Sequence, residues 1–391
     1  MRQPYVNAKL QGFGSTIFAE MSALAVATGS VNLGQGFPDT DGPIEVIEAA
    51  AAAIREGRGN QYPPGPGIPE LRAAIAAHQQ AYYGLTVDPD CEVLVTAGAT
   101  EAIAAALLAL LDTGDECILF EPYYDSYPAG VAMAGAICVP VTLRAPDFTI
   151  DLDELRTKIT ARTRVMVVNS PHNPTGSVFS PETMQGVADL AIEHDLIVIS
   201  DEAYEHLTFD GIAHVPLATV PGMWERTITV GSAGKSLSFT GWKIGWATGP
   251  AALVAAVRTA KQFLTFVSGG PFQYAVAVGL GLPPSYFEGF AVDLQAKRDA
   301  LTSGLSESGF TVYRPKGTYF VTTDITPLGE TDGYAFCRSL PSRCGVVAVP
   351  NVVFYSNAHE GRRFVRFAFC KRHEVIADAV TRLKALGEVP R

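Results

Sequence analysis

Short apolar blocks alternate with segments of helical periodicity between about residues 92 and 230. The blocks are Glu92–Thr96, Glu116–Phe120, Arg164–Asn169, Leu196–Ser200 and Thr227–Val230. Each block is nearly all apolar and rich in β-branched residues, which is typical of strands in a sheet covered on both faces. The pattern therefore predicts an α/β fold with a mostly parallel sheet flanked by helices.

Helical periodicity and a later change of pattern divide the rest of the chain. Predicted helices cover Ile17–Ala27, Pro43–Arg55, Glu70–Tyr83, Glu101–Leu111, Ala251–Phe266, Glu288–Ser308 and Glu374–Leu386. Further strands are predicted at Thr311–Tyr313, Thr318–Thr322 and Phe364–Phe369. We predict an amino-terminal arm over residues 1–40 that also forms part of the small domain. A large domain over residues 41–280 and a smaller α+β domain over residues 281–391 follow it.

The composition is that of a globular enzyme, since 48% of the 391 residues are hydrophobic and 18% are charged. The net charge of −11 argues against a nucleic-acid-binding surface, which requires a basic stripe. No run approaches the roughly 18 apolar residues of a membrane span, and the amino terminus lacks the apolar core of a signal peptide. The six cysteines include no C-x-x-C pair. We therefore expect reduced thiols, no metal site, no membrane association and a cytoplasmic location.

Lys235 lies in the segment Gly231–Gly245, which directly follows the last predicted strand of the sheet and is rich in glycine and hydroxyl side chains. A lysine at the end of a buried strand is partly desolvated, which lowers the pKa of its amine and favours imine formation. The triplet Gly234-Lys235-Ser236 is not a nucleotide-binding loop, because that motif needs a glycine where Thr229 stands. Taken alone, however, Lys235 is better explained as an ordinary surface lysine in a polar loop.

Polar residues also follow the other predicted strands, where open α/β sheets bind their ligands. Gly98–Thr100 opens a helix whose free amides suit a phosphate, although such a glycine turn alone is a weak signal. Tyr124 is placed to cover a flat ring, although core packing is the commoner fate of a tyrosine. The turn Asn169–Gly176 offers amide donors or is simply locked by its prolines. Asp201 ends an apolar strand, where a carboxylate needs a cation or a strong donor.

Together these residues supply a phosphate cradle, a stacking ring, a buried carboxylate, polar donors and an imine-forming lysine. That set matches the requirements of pyridoxal 5′-phosphate. A carboxylate such as Asp201 would keep the pyridine nitrogen protonated, so that the ring accepts electrons from a substrate carbanion.

At this point the chain resembles the class I and II aminotransferases, the fold-type I pyridoxal phosphate enzymes. The resemblance covers essentially the whole chain. It is carried by Asn173-Pro-Thr-Gly176, Asp201-x-x-Tyr204, Ser232-x-x-Lys235, Gly241-x-Lys-x-Gly245 and the late Arg366. It implies a mostly parallel seven-stranded sheet in a large domain plus a smaller α+β domain. It also implies a homodimer with active sites at the subunit interface.

The resemblance implies a role for each matching residue. Lys235 would form the imine with the cofactor and then move the proton, and Asp201 would pair with the pyridine nitrogen. The ring would be held by Tyr124, Asn169, Asn173 and Tyr204, and the phosphate by Ala99, Thr100, Ser232 and Lys243, with Tyr62 of the partner subunit.

The resemblance also implies how an amino acid substrate would bind. Arg366 would clamp the substrate α-carboxylate, with Asn173 and the backbone of Gly36 beside it. The alternative for Arg366 is a buried structural ion pair. Phe18, Tyr124 and Phe266 of the partner subunit would line the pocket for the substrate side chain.

Two departures from the wider family mark a narrower branch. Gly234 replaces a usual serine, and Lys243 stands where most members have arginine and supplies a point charge without a bidentate fork. The branch contains kynurenine, glutamine and methionine aminotransferases, cysteine-conjugate β-lyases and N-succinyldiaminopimelate aminotransferases. The segments Met1–Val6, Asn60–Gly67 and Asn169–Gly176 are most similar to the last group, which works in lysine and cell-wall precursor synthesis.

Three functions follow from this reading. The first is an aminotransferase that moves the amino group of an amino acid to a 2-oxo acid, with 2-oxoglutarate as the expected acceptor. The second is a β-lyase, because the same constellation can run β-elimination. The third is a regulator that keeps an aminotransferase-like domain only as an effector sensor. Such regulators carry a DNA-binding domain ahead of that domain. Here the resemblance begins within the first residues and the chain is acidic, which argues against this function. For distal substrate carboxylates, Lys9, Lys261 and the arginines of the smaller domain are all candidates.

Overall fold

The computed structural model describes residues 4–14 and 16–387. Its strands are β1 Val31–Asn32, β2 Val93–Thr96, β3 Glu116–Glu121, β4 Ile137–Thr142, β5 Thr163–Asn169, β6 Ile197–Asp201, β7 Thr227–Ser232, β8 Gly245–Thr248, β9 Thr311–Tyr313, β10 Phe320–Asp324, β11 Val346–Val347, β12 Val349–Pro350 and β13 Phe364–Ala368. Its α-helices are α1 Ile17–Thr28, α2 Ile44–Arg55, α3 Pro69–Tyr83, α4 Gly98–Leu110, α5 Ser126–Ala134, α6 Leu152–Lys158, α7 Pro181–Glu193, α8 Ala233–Ser236, α9 Ala251–Lys261, α10 Gly270–Leu280, α11 Pro284–Glu307, α12 Gly333–Cys344, α13 Ala358–Gly361 and α14 His373–Lys384.

The large sheet has seven strands in the order β2-β8-β7-β6-β5-β3-β4. All neighbouring pairs are parallel except those of β8, which runs antiparallel to β2 and to β7. This confirms the predicted seven-stranded, mostly parallel sheet. The carboxyl ends of β5, β6 and β7 therefore lie side by side, and the residues that follow them meet at one edge.

Two strands of this sheet were not predicted, for physical reasons. β4 is an edge strand that is only partly buried and contains Pro140, so it lacks the continuous apolar pattern of the central strands. β8 reads Gly-Trp-Ala-Thr and has almost no β-branched content. It is placed by packing, because Trp246 is buried against Gly231 of β7, where a Cβ would lie 2.3 Å from the indole.

The helix boundaries differ from the predictions mainly in the part of the chain that follows β8, the last strand of the large sheet. The helix expected over Ala251–Phe266 ends at Lys261; Phe266, at φ +64°, cannot continue a right-handed helix, and its carbonyl accepts a hydrogen bond from the Lys261 ammonium. The next helix, α10, was not predicted, and it begins after Gly269 at φ +55°. The strand expected at Thr318–Thr322 begins two residues later, at Phe320.

A four-stranded antiparallel sheet, in the order β12-β13-β10-β9, carries Arg366 on β13. The arm that precedes the large sheet joins this part of the chain, because Val31 of β1 pairs in parallel with Val346 of β11. That pairing brings the glycine-rich segment after β1 toward Arg366. The proposed domain limits at 40/41 and 280/281 stay predictions, and the first three residues of the Met1–Val6 motif lie outside the described residues.

Across residues 4–14 and 16–387, no helix combines the length and the apolar character needed to cross a membrane.

Candidate active site

Lys235 lies in the single-turn helix α8, which begins directly after β7. Its Nζ lies 5.7 Å from the ring centroids of both Tyr204 and Tyr319. Burial lowers the pKa of Lys235 to about 8, while nearby Cys370 and Asp201 act in the opposite direction. A sizeable fraction of this amine is therefore neutral near physiological pH, as nucleophilic attack on an aldehyde requires.

The amino end of α4 forms a cradle closed by an ammonium group. Gly98 has φ +75°, and a Cβ added there would lie 3.1 Å from Lys243 Nζ. A Cβ at Gly245 would lie 2.6 Å from the Gly98 carbonyl carbon, so only glycine lets β8 approach the helix this closely. Ala99, Thr100 and Ser232 line the same pocket. Helix amides and a cation facing one space make an anion site.

Asp201 ends β6 and is buried. Its Oδ2 accepts a hydrogen bond from Tyr127 at 2.5 Å, and its Oδ1 accepts one from the Ala203 amide at 3.1 Å. Burial raises the pKa of Asp201, although these donors and the charge of Lys235 act in the opposite direction. No described Lys, Arg or His forms an ion pair with this carboxylate, so a buried negative charge still lacks a cation at ion-pairing distance.

Asn169 and Asn173 lie in one hydrogen-bonded turn after β5. The Asn169 side chain donates to the Asp201 carbonyl at 2.9 Å and accepts from the Asn173 amide at 2.8 Å. Asn169 therefore lines the pocket, but its oxygen and one amide N–H already hold the turn in place. Asn173 accepts a hydrogen bond from Arg366 on its Oδ1, which leaves its own N–H groups to donate to a ligand.

Arg366 is a buried cation whose hydrogen-bond partners are neutral. It donates to Asn173 Oδ1 and to the Gly34 carbonyl, each at 3.0 Å, while its Nε has no partner among the described residues. Its guanidinium lies 4.0 Å from the Phe320 ring centroid. Burial lowers the pKa of Arg366 to about 10, so the group stays charged at neutral pH.

Among residues 4–14 and 16–387, no carboxylate forms a salt bridge with Arg366, which rules out the structural ion pair considered as its alternative within that range. Gly36 lies beside it, and a Cβ there would lie 2.5 Å from the Phe320 ring. Its carbonyl accepts from Tyr319, so its N–H is the group left to face a ligand. A buried guanidinium without a counter-ion, next to a free backbone N–H, suits a carboxylate ligand.

Aromatic side chains form the walls of the pocket. Tyr124, Tyr204 and Phe18 all line it, as the sequence predicts. Tyr204 is buried and packs edge-on against Tyr319 at a centroid distance of 5.3 Å. Phe18 enters from α1, and the guanidinium of Arg366 lies 5.2 Å from its ring centroid.

Tyr62 and Phe266 do not line the pocket of their own chain. Their rings contact each other at 5.5 Å, and Tyr62 is 81% exposed. This position agrees with the prediction that both residues serve the partner subunit, which stays a prediction.

Several pocket residues were not predicted. They are Gln35, Ile103, Tyr127, Ala203, Thr240, Ile244 and Phe320. Tyr127 could have been found, because it lies only three positions after Tyr124, in the first turn of α5, and the two ring centroids are 5.8 Å apart. Phe320 could not, because its place depends on pairing between β10 and β13.

The glycine at position 234 also has a local explanation. A Cβ there would lie 3.0 Å from Thr240 Cα, so a side chain requires the Thr240 backbone to shift. The segment that carries Lys235 and Lys243 is thus packed more tightly here than a serine would allow.

The pocket therefore holds two unpaired charges, a buried carboxylate and a buried guanidinium, with an anion cradle and a low-pKa amine between them. A protonated nitrogen in a flat ring would neutralise the charge of Asp201. A phosphate would fill the cradle, and a substrate carboxylate would neutralise the charge of Arg366. This donor set fits pyridoxal phosphate together with an amino acid.

Comparisons with known proteins agree with this geometry. The family model "Aminotransferase class I and II" matches residues 28–383. The chain is 50% identical to a probable N-succinyldiaminopimelate aminotransferase, DapC, of Mycobacterium tuberculosis, over 98% of this chain and 99% of that protein. It is 38% identical to the methionine aminotransferase of Escherichia coli, over 97% and 98% of the two chains.

Among solved structures, the chain superposes on the N-succinyldiaminopimelate aminotransferase of M. tuberculosis with a TM-score of 0.95 and 51% identity, over 97% of this chain and 100% of that one. The chain belongs to the class I and II aminotransferases, the pyridoxal phosphate-dependent enzymes that move an amino group between an amino acid and a 2-oxo acid.

Proposed function

We propose that this enzyme is an N-succinyldiaminopimelate aminotransferase that uses 2-oxoglutarate as the amino acceptor. The observation that carries the proposal is the 50% identity with a probable enzyme of that name over 98% of this chain. The relatives named for methionine and kynurenine are 38% identical at most. A cytoplasmic location suits such a biosynthetic step.

The residues around Lys235 fit the cofactor. Lys243, Ser232 and the amides of Ala99 and Thr100 would hold its phosphate. Asp201 would pair with its ring nitrogen, and Tyr124, Tyr204 and Asn173 would contact its ring. When bound, pyridoxal phosphate supplies an aldehyde for imine formation and a ring that accepts the electron pair of a broken Cα–H bond.

The chain's own groups then account for substrate handling. Arg366 binds the α-carboxylate and fixes the orientation of the substrate Cα. Lys235 Nζ takes the proton from that carbon, because burial favours the neutral form of the amine. Tyr127 holds Asp201 in its ionised, oriented state through the hydrogen bond to Oδ2.

The distal carboxylates of the succinylated substrate need their own donors. Lys261 is buried, and its ammonium already donates to the carbonyls of Gly65 and Phe266. Lys9 is exposed and donates only to the Met133 carbonyl at 3.2 Å. Lys9 lies at the carboxyl end of α5, which leads into the amino end of β4 and so lies away from the strand ends that form the pocket; neither lysine is assigned to the distal carboxylates.

We also propose a homodimer in which Tyr62 and Phe266 complete the active site of the partner subunit. The support is an exposed apolar patch formed by Tyr62, Phe263, Leu264 and Phe266, which is unusual on a monomer surface. Thr265, within this segment, donates a hydrogen bond to Glu101 in the first turn of α4. Replacing Phe263 and Phe266 by serine should yield monomers in sedimentation velocity and weaken cofactor binding. A variant that stays dimeric would contradict the assignment of the patch.

The substrate assignment is tested with a panel of amino donors and 2-oxoglutarate, by following glutamate formation. N-succinyldiaminopimelate should have a kcat/KM at least about 10-fold above kynurenine, methionine and glutamine, because only it offers distal carboxylates to the site. An equal or higher kcat/KM for another donor would contradict this assignment and identify that donor as the preferred substrate. Pyruvate release from a cysteine conjugate without any 2-oxo acid would indicate β-elimination instead.

A further inference from the structure

A cluster of histidine and glutamate side chains lies behind the loop that carries Asp201 and Tyr204. His78 projects from α3, and Glu205 and His206 follow Tyr204 directly. The Nε2 atoms of the two histidines are 2.7 Å apart. One ring nitrogen of each histidine and a carboxylate oxygen of Glu205 all lie within 4.8 Å of one another. Across residues 4–14 and 16–387, no other group of three such side chains comes together in this way.

Aromatic rings enclose the cluster, and some of its buried polar atoms have no hydrogen-bond partner among the described residues. His206 stacks on Phe287 at a centroid distance of 4.2 Å, and Tyr82 packs against both histidines. His78 is 3% exposed, yet its Nδ1 has no hydrogen-bond partner among the described residues, and neither does the buried hydroxyl of Tyr82. Orphaned polar atoms in a buried cluster indicate that a water or an ion belongs there.

The charge balance of the cluster points to a cation. Glu205 is buried and accepts one hydrogen bond, from Tyr83 at 2.7 Å. The basic groups that face its carboxylate are imidazoles, those of His78, His206 and His214, rather than a described lysine or arginine. His214 is already paired with Glu202 at 2.9 Å. The carboxylate of Glu205 is therefore left to the two facing imidazoles.

A direct contact between two Nε2 atoms satisfies the histidines poorly. One ring must donate through Nε2 and the other must accept, so each ring is restricted to one tautomer. A metal ion needs no such division, because both nitrogens can offer lone pairs to it. Two imidazoles and one carboxylate are also a common ligand set for zinc.

We propose that His78, Glu205 and His206 bind a divalent transition-metal ion of the Zn²⁺ class. Zinc–nitrogen bonds of about 2.0–2.1 Å at a tetrahedral angle place the two nitrogens about 3.3 Å apart. The two rings therefore have to separate by only a fraction of an ångström from their present contact. A water molecule would complete the coordination next to the Tyr82 hydroxyl.

Such an ion has a structural role. It ties α3 to the residues that directly follow Tyr204, so it holds the loop that also presents Asp201. The chemistry at Lys235 does not pass through it. His78 lies 128 positions before His206 in the chain, so no sequence spacing signals the site.

The test uses the untagged holoenzyme, dialysed against a chelator and then titrated with Zn²⁺ alone. Isothermal titration calorimetry and elemental analysis should find one tightly held Zn²⁺ per chain. The double variant with His78→Gln and His206→Gln should lose that equivalent, while His359→Gln, which changes an exposed histidine, should keep it. Tyr83→Phe, which removes the donor to Glu205, should weaken Zn²⁺ binding about 10-fold.

The wild-type protein also provides a readout that does not depend on the folding of a variant. Co²⁺ in the same site should give the intense visible absorption of four-coordinate cobalt. Failure of the wild-type holoenzyme to retain Zn²⁺, the absence of that Co²⁺ spectrum, or unchanged Zn²⁺ binding by the folded double variant would each overturn the proposal.

Discussion

Arg366 donates a hydrogen bond from Nη1 to Oδ1 of Asn173 across 3.0 Å, although 193 positions separate them in the chain. The bond joins the small antiparallel sheet to the turn after β5. It fixes the guanidinium that we assign to the substrate carboxylate and, through the amide, the donor that we assign to the cofactor ring. Substrate binding and cofactor orientation are therefore coupled through one contact.

Replacing Arg366 by lysine tests the carboxylate clamp. The variant keeps a positive charge but loses the planar fork and the bond to Asn173, so kcat/KM for the amino donor should fall about 100-fold, mainly through KM. Steady-state kinetics with a saturating 2-oxo acid measure this. Arg363→Lys is the matched control, because Arg363 directly precedes β13, is about half exposed, pairs with Asp324 and does not line the pocket. Equal losses of kcat/KM in both variants would show that Arg366 does not bind the substrate carboxylate.

Replacing Asp201 by asparagine should separate stability from function. Burial raises the pKa of the Asp201 carboxyl group in the folded state above its value in the unfolded state. The stability that this group contributes is therefore fully present below the unfolded-state pKa and is lost as pH rises through the folded-state pKa. The apoenzyme of Asp201→Asn should therefore gain unfolding free energy relative to wild type as pH rises from acid to neutral, by about 1.4 kcal/mol per unit of pKa shift.

The same variant should lose at least about 100-fold in kcat, because no carboxylate remains to hold the ring nitrogen protonated. Urea unfolding of the apoenzymes across pH and turnover of the loaded enzymes give the two readouts. Asp189→Asn, at an exposed position on α7, should change neither. A stability difference that is constant with pH would contradict the account of the buried charge.

Replacing Lys243 by alanine tests the phosphate cradle. Affinity for pyridoxal phosphate should fall about 10- to 100-fold, whereas affinity for pyridoxal, which lacks the phosphate, should change little. Equilibrium dialysis of the apoenzyme with each compound measures the difference. Lys158→Ala removes an exposed lysine and serves as control. A similar loss for both compounds would place Lys243 elsewhere than at the phosphate.

The rate at which apoenzyme captures the cofactor should depend on the protonation of Lys235. Burial lowers the pKa of Lys235 to about 8, so the unreactive ammonium dominates below that pH and the nucleophilic amine above it. The observed rate constant should rise with pH with a midpoint near pH 8 and level off about one pH unit above it. Stopped-flow absorbance of the cofactor measures the profile. A midpoint near the ordinary lysine value of 10.5 would contradict burial of the amine.

The central strands and the residues at their ends could be predicted because each strand is a continuous apolar run. Asp201 stands out in the sequence because a charged group directly after such a run is unusual, and Lys235 becomes a candidate because the glycine-rich segment that carries it follows the next run. β4 and β8 could not be found in this way, since one lies at an edge and the other consists of small residues around Trp246.

Interactions between distant segments were hidden for a different reason. The bond between Tyr127 and Asp201, the pairing that places Phe320, and the contact between His78 and His206 all depend on tertiary structure. The pattern of one segment carries no information about the segment it will meet.

The most direct test of the account is the identity of the lysine that binds the cofactor. The loaded enzyme is reduced with borohydride, digested and examined by mass spectrometry. The account predicts a reduced pyridoxyl group on Lys235 and none on Lys243. An unmodified Lys235 in cofactor-loaded protein, or a pyridoxyl group on another lysine, would contradict it.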